Sequence, residues 1–272
     1  MPPPLSDRLR ALGLAHGDAV LVHSSLRAVG PVEGGAEAVV DSLLAVLGPD
    51  GLLIVPTFTY NTARFDPLTE PGQAGVLGEV VRRRPDAVRS AHPTHSVAAI
   101  GAGAHELCAG HEELAAADPG SPFDRLVERG GKVLLLGVGH VANTTVHLGE
   151  FRAGVRYVEL QPSLAWPRVH EVTVDGRARS FEYGRFAGCS RAFGVVERGL
   201  RERSLIRDGR VGDAQAQLVP AAAVVEETIA LLRRDEHALL CTDPSPEHRC
   251  ARARAGVPDP TRKESHVQLG QQ

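Results

Sequence analysis

A histidine and a glutamate stand three residues apart in the segment GVGHVANTTVHLGE, residues 137–150. The apolar run before it, residues 132–139, predicts a buried strand that enters a glycine-containing turn. Asn143 is placed to cap a helix that begins at Thr144, and residues three apart share one helix face. His147 and Glu150 are therefore expected to be neighbours. A carboxylate orients an imidazole and favours its charged form, which suits a general base, although a solvated helix face fits the spacing equally well.

A second segment, LVHSSLRAVG at residues 21–30, predicts a strand that ends in a turn with two serines, Ser24 and Ser25. Hydroxyl groups and backbone N–H groups at such a turn suit a phosphate or pantetheine contact. The chain has no G-x-x-x-x-G-K-[ST] and no G-x-G-x-x-G motif, so nucleoside triphosphate and dinucleotide sites are not supported. Either serine could be a nucleophile, but no G-x-S-x-G elbow is present. Without further support an ordinary polar turn is the simpler interpretation.

Two more histidines, His92 and His95, precede a predicted strand in RSAHPTHSVAAIG, residues 89–101. They could join His23 or His147 around a metal ion. However, no H-x-H or H-E-x-x-H pattern exists, and a chain with 12 histidines brings some together by chance. We therefore predict no metal.

The helices and strands of the fold must position these segments. The first 150 residues alternate between strand and helix patterns. This alternation predicts an α/β arrangement. Strands are predicted at residues 19–22, 52–60, 96–101 and 132–139, and helices at 6–14 (with Ser6 as the N-cap), 34–47, 78–84, 104–107 and 123–128. A loop is predicted at 61–75, a hairpin around Asp175-Gly176, and a helix at 214–232. Residues 1–235 are expected to form a single α/β domain, and residues 236–272 a polar, mobile C-terminal tail.

Composition narrows the classes of function. Of the 272 residues, 43% are hydrophobic and 23% charged, which allows a sizeable core. A net charge of −3 argues against nucleic-acid binding and permits a cationic small substrate. The sequence shows no signal-peptide apolar region and no apolar stretch of about 20 residues, so we expect a cytoplasmic protein with no membrane partner. The four cysteines are widely spaced without a C-x-x-C pair, which argues against disulfides and a cysteine zinc site.

Taken together, the segments resemble the aminoglycoside 3-N-acetyltransferase family. The matching stretches are HSSLRAVG with GGAEAVVDSLLAVLGPDGLLIVPTFTY, then FDP, RSAHPTHSVAAIG, SPFDRLVERGGKVLLLGVGH and NTTVHLGE, with VGDAQAQL as a weaker match. They follow the family's order and spacing over about residues 15 to 160, which makes the series specific although each motif alone is weak. The resemblance implies a family-specific α/β fold with a central mixed sheet flanked by helices. It also implies direct transfer of acetyl from acetyl-CoA, a cosubstrate, to the 3-amino group of a 2-deoxystreptamine aminoglycoside.

The resemblance also implies roles for individual residues. His147 matches the family's catalytic histidine, with Glu150 as its nearby carboxylate. The coenzyme-contacting positions are Ser24, Ser25, Leu26, Val29 and Gly30, with Thr57, Ser96 and Val97 beside them. Asp66 and Glu182 are the candidates for binding substrate ammonium groups. The stretch FEYGRFAGCSRAF, residues 181–193, has one acidic residue where a more acidic cluster is expected, so the range of aminoglycosides and the carboxylate partner of His147 stay open.

Backbone N–H groups at the Ser24–Ser25 turn or at the Ser96–Val97 turn are the candidates for stabilising the oxyanion of acyl transfer. Three rival interpretations remain: an acetyltransferase for a different amine, a hydrolase that uses Ser24 or the histidines, and a non-catalytic coenzyme A binder. The sequence also leaves open whether the protein is a monomer or a homodimer.

Overall fold

The computed structural model describes residues 3–60, 62–163 and 165–256. A mixed seven-stranded sheet forms its centre, in the order β4-β5-β2-β1-β6-β10-β9. The strands of this sheet are β1 (Ala19–Ser24), β2 (Leu52–Pro56), β4 (Val88–Arg89), β5 (Val97–Gly101), β6 (Lys132–Leu136), β9 (Arg207–Val211) and β10 (Ala214–Pro220). β1 runs parallel to both β2 and β6, whereas β5 and β10 pair antiparallel at either side of this parallel trio.

Helices cover both faces of the sheet. They are α1 (Leu5–Leu12), α2 (Leu26–Val29), α3 (Gly35–Leu47), α4 (Val76–Arg82), α5 (Ala104–Cys108), α6 (Pro122–Glu128), α7 (Thr145–Ala153), α8 (Val196–Glu202), α9 (Ala221–Arg234) and α10 (Arg249–Arg254). The apolar side chains of α1, α3 and α4 form one core layer, and those of α5 to α10 belong to the other. Strands buried on both faces carry continuous apolar runs, as in β6, where residues 133–136 are fully buried. The predicted central mixed sheet flanked by helices is confirmed.

A smaller sheet packs beside the main one and contains β3 (Arg64–Phe65), β7 (Val169–Val174) and β8 (Arg177–Glu182). β7 and β8 form the predicted hairpin. Asp175 and Gly176 at its turn have φ of +50° and +72°, the left-handed conformation that a two-residue hairpin turn requires. β3 lies within the segment that the sequence predicts to be a loop.

Several boundaries differ from the prediction by a few residues. The first helix begins at Leu5 after Pro4 rather than after Ser6, and β2 ends at Pro56 rather than at Tyr60. The helix predicted at residues 214–232 is wrong in its first half, because residues 214–220 form β10. The stretch AQAQLVP alternates between buried and exposed side chains as a strand does, and the helix begins only after Pro220.

The predicted polar tail also differs from the structure. Leu239, Leu240, Cys241 and Cys250 are buried and belong to the hydrophobic core. The Arg249 side chain is buried as well and donates hydrogen bonds to three backbone carbonyls, those of Tyr157, Leu160 and Phe186. Residues up to 256 therefore pack on the domain, and residues 257–272 of the predicted tail lie outside the described residues. Of the helices described, none has the length and apolar character needed to cross a membrane.

Candidate active site

A cleft of about 570 Å³ opens where the carboxyl ends of β1, β2 and β6 meet. Its walls include Ser24 at the end of β1, Pro56 at the end of β2, the turn of residues 138–144 after β6, and His147 on α7. The crevice at the carboxyl ends of parallel strands is where open α/β sheets bind ligands. The fold thus brings all three predicted segments to one site, since His95 of the segment 89–101 lines the cleft together with the serine turn and the helix that carries His147.

His147 and Glu150 are in direct contact in this cleft. The Nδ1 of His147 lies 2.6 Å from Oε2 of Glu150, and both side chains are buried. A carboxylate can only accept a hydrogen bond, so Nδ1 carries the proton and donates it. This leaves Nε2 as the nitrogen with a lone pair. The predicted pair is therefore present with the geometry of an oriented base.

A third residue, Tyr157, completes this arrangement and was missed in the sequence. Its hydroxyl donates to Oε1 of Glu150 at 2.9 Å, so both carboxylate oxygens are engaged. Burial raises the pKa of Tyr157, and the neighbouring Glu150 carboxylate raises it further, which keeps the phenol protonated as a donor. Tyr157 lies on a short 3₁₀ helix (Arg156–Glu159), beyond the end of α7 at Gly154. The two residues are seven apart, which is a helical spacing, but Gly154 ends α7 between them, so no continuous helix relates Tyr157 to Glu150.

Local hydrogen bonds hold the start of α7 in place. Thr144 occupies the N-cap position, one residue after the predicted Asn143. The Asn143 side chain still accepts a hydrogen bond from the Thr145 N–H at 3.1 Å. The Thr144 N–H points at Nε2 of His23, 3.3 Å away. The end of β1 and the beginning of α7 are thereby joined across the cleft.

Aromatic rings surround the His147 imidazole. Phe193 contacts it edge to face, with ring centroids 4.7 Å apart, and the His95 ring lies 6.2 Å away. Burial holds the pKa of His95 well below its usual value, and His147 lowers it further. Burial, together with His140, lowers the pKa of His23 to about 3. Both neighbouring imidazoles are neutral near pH 7, and His147 is the member of this trio that contacts a carboxylate.

The residues of the predicted coenzyme loop lie in different environments. Ser24 lines the cleft. The N–H of Ser25 donates to the carbonyl of Leu136 at 2.9 Å, and Leu26 is half-buried at the start of α2. Val29 packs in the core, and Gly30, with φ of +80°, lies against the Asp213 side chain. Of these five residues only Ser24 is in the cleft wall, and the coenzyme contacts of the others stay a prediction.

Thr57, Ser96 and Val97 form part of a buried network behind the cleft. The Ser96 hydroxyl donates to the Thr57 carbonyl at 2.9 Å. The Arg89 guanidinium donates to the hydroxyl oxygens of both Thr57 and Ser96. The N–H of Val97 donates to Ser90 Oγ at 3.0 Å. The N–H groups of Ser25 and Val97, two of the candidate oxyanion donors, are thus already bonded within the chain. The residues with hydroxyl groups that line the cleft are Ser24, Tyr60, Thr144 and Ser190, and of these Ser24 and Thr144 lie at the end of β1 and at the start of α7.

The two acidic candidates for substrate binding lie outside the cleft wall. Asp66 accepts a hydrogen bond from the Leu68 N–H in the turn after β3, and Glu182 is exposed at the end of β8. Among the described residues that line the cleft, none is acidic. Within the described part of the chain, the histidines of the cleft also do not gather three metal-ligand atoms.

Comparison with known proteins identifies the family of this chain. Residues 21–233 match the family model described as aminoglycoside 3-N-acetyltransferase. The chain is 38% identical over 234 residues to aminoglycoside N(3)-acetyltransferase IV of Salmonella sp, a match that covers 85% of this chain and 87% of that protein.

Solved structures agree in fold. A histidine-to-alanine variant of aminoglycoside acetyltransferase AAC(3)-IVa in complex with a gentamicin superposes with a TM-score of 0.81 at 35% identity, covering 93% of this chain and 96% of that one. A binary complex of AAC-IIIb with CoASH gives a TM-score of 0.74 at 29% identity, covering 85% and 95% of the two chains. The chain therefore belongs to the aminoglycoside 3-N-acetyltransferase family and is an acyltransferase.

Proposed function

We propose that this enzyme transfers the acetyl group of acetyl-CoA to the 3-amino group of a 2-deoxystreptamine aminoglycoside, with His147 as the general base. The observation that carries the proposal is the buried contact between His147 and Glu150 in the wall of the cleft. Family membership supplies the reaction class, and the described cleft supplies a base with an oriented lone pair.

The proton transfer follows from the hydrogen bonds of the pair. An amine can attack a thioester only when its nitrogen has a free lone pair, and it must lose a proton as the new C–N bond forms. Nε2 of His147 accepts this proton while Nδ1–H continues to donate to Glu150. The carboxylate stabilises the resulting imidazolium, and Tyr157 stabilises the carboxylate in turn. The C–S bond breaks, and the departing thiolate takes up the proton that Nε2 of His147 accepted, so that coenzyme A leaves as the free thiol and the imidazole is neutral again.

The neighbours of His147 favour this role. His95 and His23 stay neutral at neutral pH, so neither repels the imidazolium that forms. Phe193 shields one side of the ring from water, which strengthens its electrostatic contact with Glu150. The hydroxyl groups of Ser24 and Thr144 line the same cleft and are our candidates for donating to the acyl oxygen as it gains negative charge.

Two observations on relatives support the substrates. One solved relative holds CoASH and another holds a gentamicin. The described cleft wall carries no carboxylate for a polycationic substrate, so we keep Asp66 and Glu182, outside the wall, as candidate ammonium contacts on the strength of the family resemblance. Ser25, Leu26, Val29, Gly30, Thr57, Ser96 and Val97 remain our candidate coenzyme positions on the same ground.

The test is an assay of coenzyme A release with aminoglycosides that have or lack a free 3-amino group. We expect turnover with the first set alone, and a product acetylated at that nitrogen by NMR. Equal turnover with both sets would show that a different amine is the acceptor. Coenzyme A release without any acceptor would indicate a hydrolase instead.

A further inference from the structure

Three cysteines that are distant in sequence meet on the side of the domain next to the cleft. Cys189, Cys241 and Cys250 place their sulfur atoms within 4.8 Å of one another. Cys241 and Cys250 are buried, and Cys189 is half-buried. Cys189 and Cys241 are 52 residues apart in sequence, so no short sequence motif indicates that they are neighbours. The expectation that these cysteines form no zinc site rested on their spacing alone.

The distances fit a metal site better than a disulfide. Cys189 Sγ and Cys241 Sγ lie 3.6 Å apart, whereas a disulfide requires about 2.05 Å. In a tetrahedral zinc site with Zn–S bonds of about 2.3 Å, neighbouring sulfur atoms are about 3.8 Å apart. The observed separation is therefore close to the edge of such a tetrahedron.

A histidine next to Cys241 can supply a fourth ligand after a small movement of its ring, since its nitrogen is not within 4.8 Å of all three sulfur atoms. Nδ1 of His248 lies 3.9 Å from Cys241 Sγ. His248 is the N-cap residue of α10, and the same nitrogen accepts a long hydrogen bond of 3.3 Å from the Cys250 N–H. Nδ1 has one lone pair, so binding a metal ion through it would exchange this long hydrogen bond for a bond to the metal. Imidazole and thiolate groups together are the ligands that Zn²⁺ prefers.

We propose that Cys189, Cys241, Cys250 and His248 bind a structural Zn²⁺ ion. Three thiolates and one imidazole fill the four tetrahedral positions, which leaves no place for a reacting water, so the site stabilises the fold rather than catalysing a reaction. The thiols lose their protons when the metal binds.

This zinc site would fix a wall of the cleft. Cys189 stands between Gly188 and Ser190, and both of these residues line the cleft. Arg249, adjacent to two of the ligands in sequence, donates to the carbonyls of Tyr157 and Phe186 at 2.7 and 2.8 Å. The metal would therefore hold together the segment that presents the wall and the segment that carries Tyr157, the hydrogen-bond donor to Glu150.

The test measures zinc in the full-length protein purified under reducing conditions from zinc-supplemented cells. We expect one zinc per chain by plasma mass spectrometry, and Co²⁺ substitution should give the charge-transfer absorption of thiolate ligation. Changes to residues that only support the ligands weaken metal binding by about 10- to 100-fold. Because Cys241→Ser removes a ligand itself, we expect it to weaken zinc binding by more than this. His248→Ala should weaken it as well. Cys108→Ser is the matched control, because Cys108 is buried near the Val88 carbonyl, outside the cluster, and should keep the wild-type zinc content.

A measurement on the wild-type protein avoids dependence on folding of the variants. Titration of its thiols with a mercurial reagent should release one zinc ion, detected with a chromogenic chelator. Two results would overturn the proposal. One is a zinc content in the wild type that is no higher than in Cys241→Ser, and the other is a disulfide between Cys189 and Cys241 in the reduced preparation. Unchanged affinity in His248→Ala would remove the histidine from the ligand set.

Discussion

Replacing Glu150 with glutamine tests how the catalytic histidine is held. Both oxygens of this buried carboxylate are engaged, one by His147 at 2.6 Å and the other by Tyr157 at 2.9 Å. Glutamine keeps the size of the side chain but removes its charge. Nδ1–H of His147 then donates to a neutral amide, and the imidazolium that forms during the reaction loses its counter-charge.

The expected loss of rate follows from the hydrogen bond that is weakened. A hydrogen bond to a charged group contributes about 1.5–3 kcal/mol, and each 1.36 kcal/mol corresponds to about tenfold in rate. Because the carboxylate acts on the imidazolium and not on bound substrate, this energy appears in kcat. We expect Glu150→Gln to lower kcat by about 10- to 150-fold, with KM changed by less than about threefold.

The assay is the initial rate of coenzyme A release with a thiol reagent, over a range of aminoglycoside concentrations. Its matched control is Glu227→Gln, which removes another buried carboxylate, on α9, whose partners are Arg203 and Arg234. This control should keep kcat within about twofold. A Glu150→Gln enzyme with wild-type kcat, or with a raised KM alone, would show that the contact of Glu150 with His147 has no role in the chemical step.

Three further predictions concern the same region. Tyr157→Phe should lower kcat by up to about tenfold, less than Glu150→Gln, because the His147 contact remains; a larger loss in the same assay would contradict this order. Ser96→Ala should lower the free energy of unfolding by about 1–3 kcal/mol and leave KM for acetyl-CoA unchanged, because its hydroxyl is bonded within the buried network and a coenzyme contact of Ser96 is left to its backbone; a raised KM with normal stability would show that the hydroxyl itself contacts the coenzyme. Acid should destabilise the protein through His23 and His111, whose pKa burial lowers to about 3. The unfolded chain takes up these protons first, so stability falls as the pH drops from about 6.5 toward 3, by about 2 kcal/mol per histidine at pH 5; urea unfolding with equal stability at pH 7 and pH 5 would refute this.

Local patterns in the sequence predicted much of the site. The helical spacing of His147 and Glu150 predicted their contact, because both lie on one regular helix whose start is marked by Asn143 and Thr144. The apolar runs of β1 and β6 predicted two buried strands, and the structure shows that their parallel pairing carries Ser24 and α7 to one edge of the sheet.

Features that depend on chain packing were not predictable in this way. Tyr157 reaches Glu150 from beyond the end of α7, through a turn that no periodicity describes. The helix predicted over β10 failed because alanine, glutamine and leucine suit a helix, whereas pairing with β6 and β9 decides the conformation. Arg249 and Cys250 look like part of a polar tail in sequence, but both side chains are buried, and Arg249 donates to carbonyls that lie 63 to 92 residues earlier in the chain.

The central claim is that His147 accepts the proton of the attacking amine, and its most direct test is the turnover of His147→Ala with an aminoglycoside that the wild-type enzyme acetylates. Removal of a general base costs about 10²- to 10⁴-fold in rate. We predict a fall in kcat of at least about 100-fold with the protein still folded. Turnover close to that of the wild type would contradict the mechanism.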